Sequence, residues 1–358
     1  MDYVNTVITG TGSYVPSVVI RNQDFVNNTF FEKDATAITS PGEVVVSKFR
    51  DITGIYERRW IRDDQNCSDI AAIASRRAIE NSGIDPETLD HIIVAHNFGD
   101  VSKGTIQTDI LPCLAARVKH ILQIENPACV AYDLIFGCPG WVQGIIQADS
   151  FIKSGLAKKI LVVGTDVISR VVDKYDRDTM IFSDGAGAVV VEAKTETTKR
   201  GLLSSATVTH TKQEAEYLYF GKSNAPKSDP DVRYIKMHGR KIYEYSLKHV
   251  PYAIKAALDK TDIPVGNIKK ILIHQANEKM DEAIIKRFFK LYKENGDVQD
   301  IMPMNIQKLG NSSAATVPIL YDMVLNGEIE NHEIKPGDEI IFASVGAGMH
   351  INAVTYRQ

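Results

Sequence analysis

Four cysteines, Cys67, Cys113, Cys129 and Cys138, are available for nucleophilic chemistry. Only Cys138 has a context that suits it. The stretch Ala128 to Gly140 reads ACVAYDLIFGCPG, an apolar run that predicts a buried strand. It is followed by Gly137, Cys138, Pro139 and Gly140, then by the helical spacing of Val142, Ile145, Ile146, Phe151 and Ile152. Cys138 therefore sits on a strand-to-helix elbow. Pro139 suits the first helical position, and the helix N-terminus beside the sulfur favours thiolate over thiol. The other three cysteines read as ordinary buried residues, which is what most free cysteines are.

His274 ends the apolar run Lys269 to Ile273 and is followed by Gln275, Ala276 and Asn277. A polar residue at the C-terminal end of a buried strand is where open α/β sheets place their sites, although a core histidine satisfied by backbone is the plainer alternative. Asn311 lies in Lys308-Leu309-Gly310-Asn311-Ser312-Ser313-Ala314-Ala315, a turn opening a helix of small residues, where an N-cap is the plainer alternative.

The elements that must hold these residues alternate between short apolar runs and longer amphipathic segments, as in buried parallel strands with crossover helices. The spacing predicts strands at Thr6 to Thr9, His91 to Ala95, Ala128 to Asp133, Lys159 to Val163, Ala188 to Glu192, Ile271 to His274 and Glu339 to Ala343. It predicts helices at Cys67 to Ser82, Trp141 to Ser154, Arg240 to Lys260 and Lys279 to Asn295. An internal repeat links them. Ala78 to Ala95 superposes without a gap on Ala257 to His274, and Gly137-Cys138 with its helix superposes on Gly310-Asn311 with its helix. The expectation is a duplicated αβ architecture with its junction in Ala193 to Arg200. Asn311 then overlies Cys138, His274 overlies the strand end at Ala95, and a pseudo-twofold brings the elbows to one central site.

The chain has 358 residues, 44% hydrophobic and 24% charged, with a formal net charge of −4. This composition suits a soluble α/β protein with a large core and gives no global electrostatic reason to bind nucleic acid or anionic lipid. The cysteines form no C-x-x-C pair and are too sparse for a disulfide framework. The first residues lack a signal-peptide pattern, and no apolar run suggests a membrane span. A cytoplasmic, reducing setting is the expectation. No His or Cys cluster has zinc spacing, so no metal is expected. Gly10-Thr11-Gly12 lacks a third glycine for a dinucleotide loop, and Asp184-Gly185-Ala186-Gly187 lacks the ending of a P-loop.

Cys138 in its D-x-x-x-x-C-x-G setting, His274-Gln275-Ala276-Asn277 and Gly310-Asn311-Ser312-Ser313-Ala314-Ala315 resemble the Cys, His and Asn motifs of β-ketoacyl-acyl carrier protein synthase III, a thiolase-superfamily condensing enzyme. The resemblance covers nearly the whole chain, from Gly10-Thr11-Gly12-Ser13-Tyr14-Val15-Pro16 through Thr53-Gly54-Ile55, Asp184-Gly185-Ala186-Gly187-Ala188 and Met237-His238-Gly239 to Gly346-Ala347-Gly348. It implies a thiolase-like α/β fold of two duplicated αβαβα halves forming a five-layered α-β-α-β-α core. Residues 1–196 would carry the nucleophile, and 197–358 the His and Asn.

The resemblance implies a catalytic set of Cys138, His274 and Asn311, with backbone N–H groups of Cys138 and Gly346 as oxyanion hole. Cys138 is acylated by a thioester, and a malonyl-type carrier thioester then condenses with loss of CO2. Acyl-CoA and acyl carrier protein phosphopantetheine thioesters would be substrates, with no cofactor, and acyl carrier protein and a second copy of the chain would be partners. Arg177, Asn277 and Lys279 are the candidate substrate- and carrier-binding residues. Arg58, Arg59 and Arg62 read as a solvated surface or a docking patch for an acidic carrier. The alternatives are an acyltransferase to oxygen or nitrogen on the same scaffold, and a non-catalytic carrier-binding subunit.

Departures from the family pattern fall on the walls. Lys48 and Ile52 stand where short-acyl-CoA primers carry Trp and Arg for an adenine clamp, and the stretches Phe30 to Phe49 and Asn97 to Ile124 are enlarged. Phe136, Pro139 and Trp141 surround the cysteine, and the C-terminal loop reads Ser344 to His350 in place of a Phe-Gly-Gly-Gly-Phe run. These changes predict a specialised member acting on polyketide, resorcinol or unusual lipid precursors.

Overall fold

The apolar runs assemble into two large sheets. The structure is a computed structural model that describes residues 2–358. The first sheet has the order β1 (Tyr3–Tyr14), β7 (Asp184–Glu196), β6 (Lys159–Val167), β4 (His91–His96), β5 (Val130–Ile135). In the second, β8 (Gly201–Thr209), β13 (His350–Arg357), β12 (Glu339–Gly346) and β11 (Ile268–Ile273) lie side by side. Pairing senses match strand for strand. β4 runs parallel to β6, and β7 and β1 follow antiparallel. Likewise β11 runs parallel to β12, and β13 and β8 follow antiparallel.

Helices complete five layers. α2 (Cys67–Ser82) covers the outer face of the first sheet beside α3 (Leu114–Ile121). α4 (Gly140–Lys153) and α9 (Thr316–Leu325) lie between the sheets, and α5 (Gly239–Leu258) with α6 (Glu278–Leu291) covers the second. Trp141, Ile145, Leu320, Tyr321 and Phe342 pack in the central layer, so burying it joins the two sheets through one apolar core. The central strand β4 reads HIIVAH with nearly every residue buried, as expected for a parallel strand covered on both faces. The fold is the thiolase-like five-layered α/β arrangement expected from the sequence.

Several details depart from the expected pattern. β1 runs 12 residues instead of a short apolar core, while β8 and β13 carry enough polar residues, Asn352 and Thr355 among them, to hide their pattern. The second sheet lacks a counterpart of β5. There the chain passes β11 as irregular backbone between the short helices α7 (Val298–Ile301) and α8 (Ile306–Leu309). The Gln275 side chain replaces the missing strand pairing: its Nε2 donates to Pro303 O at 2.9 Å, and its Oε1 accepts from Asn305 N at 3.1 Å and Ile306 N at 3.0 Å.

Two small sheets, β2 (Val18–Arg21) with β3 (Glu57–Trp60) and β9 (Leu218–Gly221) with β10 (Tyr234–Met237), flank the core. The enlarged N-terminal stretch folds partly into α1 (Gly42–Thr53). Behind α1, one member of the basic group expected at the surface is fully buried: Arg58. Its guanidinium stacks 5.0 Å from the Phe25 ring and 5.6 Å from the Phe49 ring, and donates to Asn22 Oδ1 at 2.7 Å. Burial pulls its pKa down to about 10. The Arg-Arg pair looked solvated because the rings that enclose Arg58 come from other segments. Arg59 pairs with Glu57 and Arg62 with Asp64, so neither offers a free charge.

Candidate active site

The elbow forms as the spacing predicts. Gly137 has φ +66°, and a Cβ there would stand 2.9 Å from Ala347 N, so glycine is required on both counts. Pro139 is the N-cap and Gly140 the first helical residue, one position later than expected. Gly346, at the end of β12, approaches so closely that a Cβ on it would lie 2.6 Å from Cys138 N. Cys138 is only 7% exposed. Burial pushes its thiol up to about 12, opposed by a hydrogen bond from Ser313. The helix N-terminus alone therefore does not leave a free thiolate in the closed site, contrary to the simple elbow argument; desolvation outweighs it.

His274 and Asn311 come to the same place from the second half. His274 N donates to Ala343 O at 2.8 Å, extending the β11–β12 ladder, and its side chain is buried. Burial pulls the imidazole down to about 4, against a pull from the Ser313 main chain, so the ring is neutral at pH 7. Its Nδ1 has no partner. Asn311 bridges the halves: its N donates to Ile181 O and its O accepts from Ser183 N, each at 2.8 Å. Its Oδ1 accepts from Ser313 N at 2.8 Å, which turns the amide NH2 the other way.

Ser313 is the residue that sequence reasoning missed. Its Oγ donates to Cys138 Sγ at 3.4 Å, its N to Asn311 Oδ1, and its main chain faces His274. It holds φ +54°, an unusual conformation for a residue other than glycine. The signal was present, since Ser313 is part of the Gly310-Asn311-Ser312-Ser313 turn, but nothing in that string distinguishes the serine that reaches the sulfur.

A cavity of about 690 Å³ reaches the surface beside this cluster. Val45, Phe49, Met237, Ile242 and Met280 form apolar walls, Ala276 and Asn277 lie two and three residues past His274, and Lys48, Ile52, Arg177 and Arg240 also line it. Asn277 caps α6, accepting from Met280 N at 3.0 Å. Arg177 pairs with Glu32 at 3.0 Å. Lys279 does not line the cavity; it is exposed and donates to Asp51 O of α1 at 2.6 Å. The structure thus brings together Cys138, His274, Asn311 and Gly346, puts Arg177 and Asn277 on the approach, and leaves Lys279 outside. Cys67, Cys113 and Cys129 are unpaired and make no contact with this group.

The long segment after β4 is anchored to the elbow strand. Asp133, five residues before Cys138, accepts from Leu114 N at 2.8 Å, from Ala115 N at 2.7 Å and from His96 Nε2 at 2.7 Å. Gly99 N donates to His96 Nδ1, fixing the tautomer that donates to the carboxylate.

Residues 132–211 match the family model of 3-oxoacyl-[acyl-carrier-protein (ACP)] synthase III, and residues 258–358 match the model of its C-terminal part. The chain is 31% identical over 355 residues to the beta-ketoacyl-[acyl-carrier-protein] synthase III of Staphylococcus aureus strain Newman, covering 99% of each. It belongs to the 3-oxoacyl-ACP synthase III family. The family's counterpart from Erythrobacter litoralis strain HTCC2594 is 30% identical over 347 residues, covering 96% of this chain and 97% of that one. The crystal structure of the synthase III from Aquifex aeolicus VF5 superposes with TM-score 0.79 at 28% identity, covering 99% of this chain and all of the other. As a synthase III family member the protein is an acyl-transferring enzyme that forms carbon–carbon bonds.

Proposed function

We propose that Cys138, His274 and Asn311 carry out a two-step decarboxylative condensation, with residues 1–196 supplying the nucleophile and 197–358 the other two groups. The observation that supports this most is the convergence of all three on Ser313. Thiol and imidazole are both neutral in the resting site, so the sulfur's proton passes to His274 as Sγ attacks the acyl thioester carbonyl. The C–S bond to Cys138 forms, the old C–S bond breaks, and the pantetheine thiolate leaves with that proton. Backbone N–H groups of Cys138 and Gly346 hold the tetrahedral oxyanion.

In the second step a malonyl-type carrier thioester loses CO2, and the bonding electrons move into an enolate. Neutral His274 and the free Asn311 NH2 donate to its oxygen. The enolate carbon attacks the acyl-enzyme carbonyl, the C–S bond to Cys138 breaks, the released thiolate takes up one proton from solvent to restore the resting thiol, and the product is a 3-oxoacyl thioester. No step calls on a cofactor; acyl-CoA and acyl carrier protein are the substrates and carriers. The cavity, lined by Ala276 and Asn277 just past His274, is the proposed path of the pantetheine arm, and the departures at Lys48 and Ile52 support acyl groups longer than acetyl and a specialised product. Arg177 and Asn277 on the approach, and Lys279 outside it, are the proposed carrier contacts.

The enzyme is proposed to act as a cytoplasmic homodimer. Four unpaired cysteines suit a reducing compartment, and no helix is long and apolar enough to cross a membrane among the described residues. β5 is an unpaired sheet edge with Val130 50% and Ile135 58% exposed, and the nearby Leu111 is 88% exposed. A second copy pairing there would cover them. Sedimentation at micromolar concentration is expected to give twice the 39.7 kDa chain mass; a fully active monomer would refute the dimer. The nucleophile is tested by intact-protein mass spectrometry with a panel of acyl thioesters. The protein gains one acyl mass that maps to Cys138, and the Cys138→Ala variant gains none. A label on Cys67, Cys113 or Cys129 would overturn the assignment.

A further inference from the structure

The buried polar groups around the sulfur form a chain whose direction of donation can be worked out. Asp166, 1% exposed, is its acceptor end. It accepts from Asn97 N at 2.8 Å, from Asn97 Nδ2 at 2.7 Å and from Ala314 N at 3.3 Å. Asn97 Nδ2 also donates to Ser313 Oγ at 3.0 Å. A hydroxyl has one hydrogen to give, and the Asp166 carboxylate also lies within its reach; with Asn97 Nδ2 donating to both that carboxylate and the hydroxyl oxygen, the hydrogen is directed to Cys138 Sγ, 3.4 Å away. Three distant segments meet here: Asn97 opens the enlarged stretch after β4, Asp166 lies near the end of β6, and Ser313 lies in the turn before α9.

We propose that Ser313 is a further catalytic residue, whose hydroxyl, oriented by Asn97 on Asp166, donates to the Cys138 sulfur and stabilises its thiolate as acylation begins. A hydrogen bond to a charged acceptor is stronger than one to a neutral acceptor, so the bond tightens as negative charge develops on sulfur and lowers the barrier to losing the proton. The unusual backbone of Ser313 serves both of its contacts. At φ +54° the residue turns its N–H to Asn311 and its hydroxyl to Cys138 at once. The inference rests on the proposal that Cys138 is the nucleophile and adds the group that makes it reactive.

The test measures alkylation of Cys138 from pH 6 to 9.5 by peptide mass spectrometry, using iodoacetamide and the bulkier N-ethylmaleimide on the full chain. Ser313→Ala is expected to slow both reagents by about tenfold at every pH below the thiol's pKa, the effect of raising that pKa by about one unit. Ser313→Gly suits a positive φ and lacks the hydroxyl, so it should match Ser313→Ala. Asn97→Ala, which frees the hydroxyl hydrogen to turn to Asp166, should slow both by about threefold. Thermal melts identify any variant that fails to fold, and Ser313→Gly then serves in place of Ser313→Ala. Wild-type rates in the Ser313 variants would overturn the proposal, as would wild-type rates in Ser313→Gly alone, which would trace the loss to backbone strain. Unequal slowing of the two reagents would also overturn it, pointing to access to the sulfur. Failure of the nucleophile reading looks different, because acyl label in the wild-type protein would then map away from Cys138.

Discussion

The buried floor of the candidate site and the mouth of the cavity beside it obey opposite rules. On the floor, Cys138, His274, Asn311, Ser313 and Asp166 are each less than a tenth exposed; Ser313 and Asp166 are held by fixed hydrogen bonds, while His274 Nδ1 has no partner and the Asn311 NH2 is left free. At the mouth, Lys48, Ile52, Arg177 and Arg240 are exposed or partly so, and the charged groups make ion pairs such as Arg177 with Glu32 or Arg240 with Glu244. Desolvation dominates the first region: it raises the thiol, lowers the imidazole and makes each donated hydrogen count. Solvent screening governs the second, where a single charge contributes little. The floor should therefore decide whether chemistry occurs, and the mouth which thioester arrives.

Removing a donor from the floor that is assigned to only one half-reaction should have the largest effect. Asn311→Ala is expected to cut decarboxylative condensation by about a hundred- to a thousandfold, the scale of losing one oxyanion donor. Self-acylation at Cys138, which does not use the Asn311 amide, should stay within a few-fold. The check is single-turnover mass spectrometry of acyl transfer beside measured CO2 release. Equal loss of both would mean that Asn311 supports the shape of the site, through Ser313 N, and not one step.

Legibility divides along the same line. Cys138, His274 and Asn311 could be singled out in the chain as candidates because each sits at a strand end or helix start and its neighbours announce the local geometry. The duplicated architecture could be read because paired helix–turn–strand stretches recur without a gap. The partners that complete the floor could not. Asn97 reaches Ser313 across 216 residues and Asp166 across 69, and Gln275 stands in for a strand that the second sheet lacks. Arg58 shows the reverse error: one member of a charged pair in sequence, it is buried by tertiary structure between Phe25 and Phe49. Each of these depends on which distant segments meet, and local spacing says nothing about that.

The smallest expected effect belongs to the mouth, and it decides the donor. An enzyme that primes with acetyl-CoA gains positioning from holding the remote adenine, because binding energy from non-reacting parts sets the carbonyl against the nucleophile. Lys48 and Ile52 provide no aromatic clamp, and Ile52 is 60% exposed beside the opening. Among the described residues, Tyr243, on α5, is the one aromatic ring other than Phe49 that lines the cavity. A carrier-borne donor needs only the pantetheine path, and an acidic carrier can use Lys48, Arg240 and Lys279 for encounter. We therefore expect the same acyl group to react faster from carrier protein than from coenzyme A, and medium chains faster than acetyl from either. Competition kinetics give these as ratios of kcat/KM. Replacing Lys279 by Ala should raise KM for the carrier-borne donor a few-fold, more so at low salt, and leave kcat unchanged. Tyr243→Ala should leave that donor unaffected. If Tyr243→Ala instead weakens acyl-CoA strongly and acetyl-CoA is the best donor in the wild-type protein, the mouth does clamp adenine after all, by a different ring, and the enzyme starts chains from short acyl-CoA.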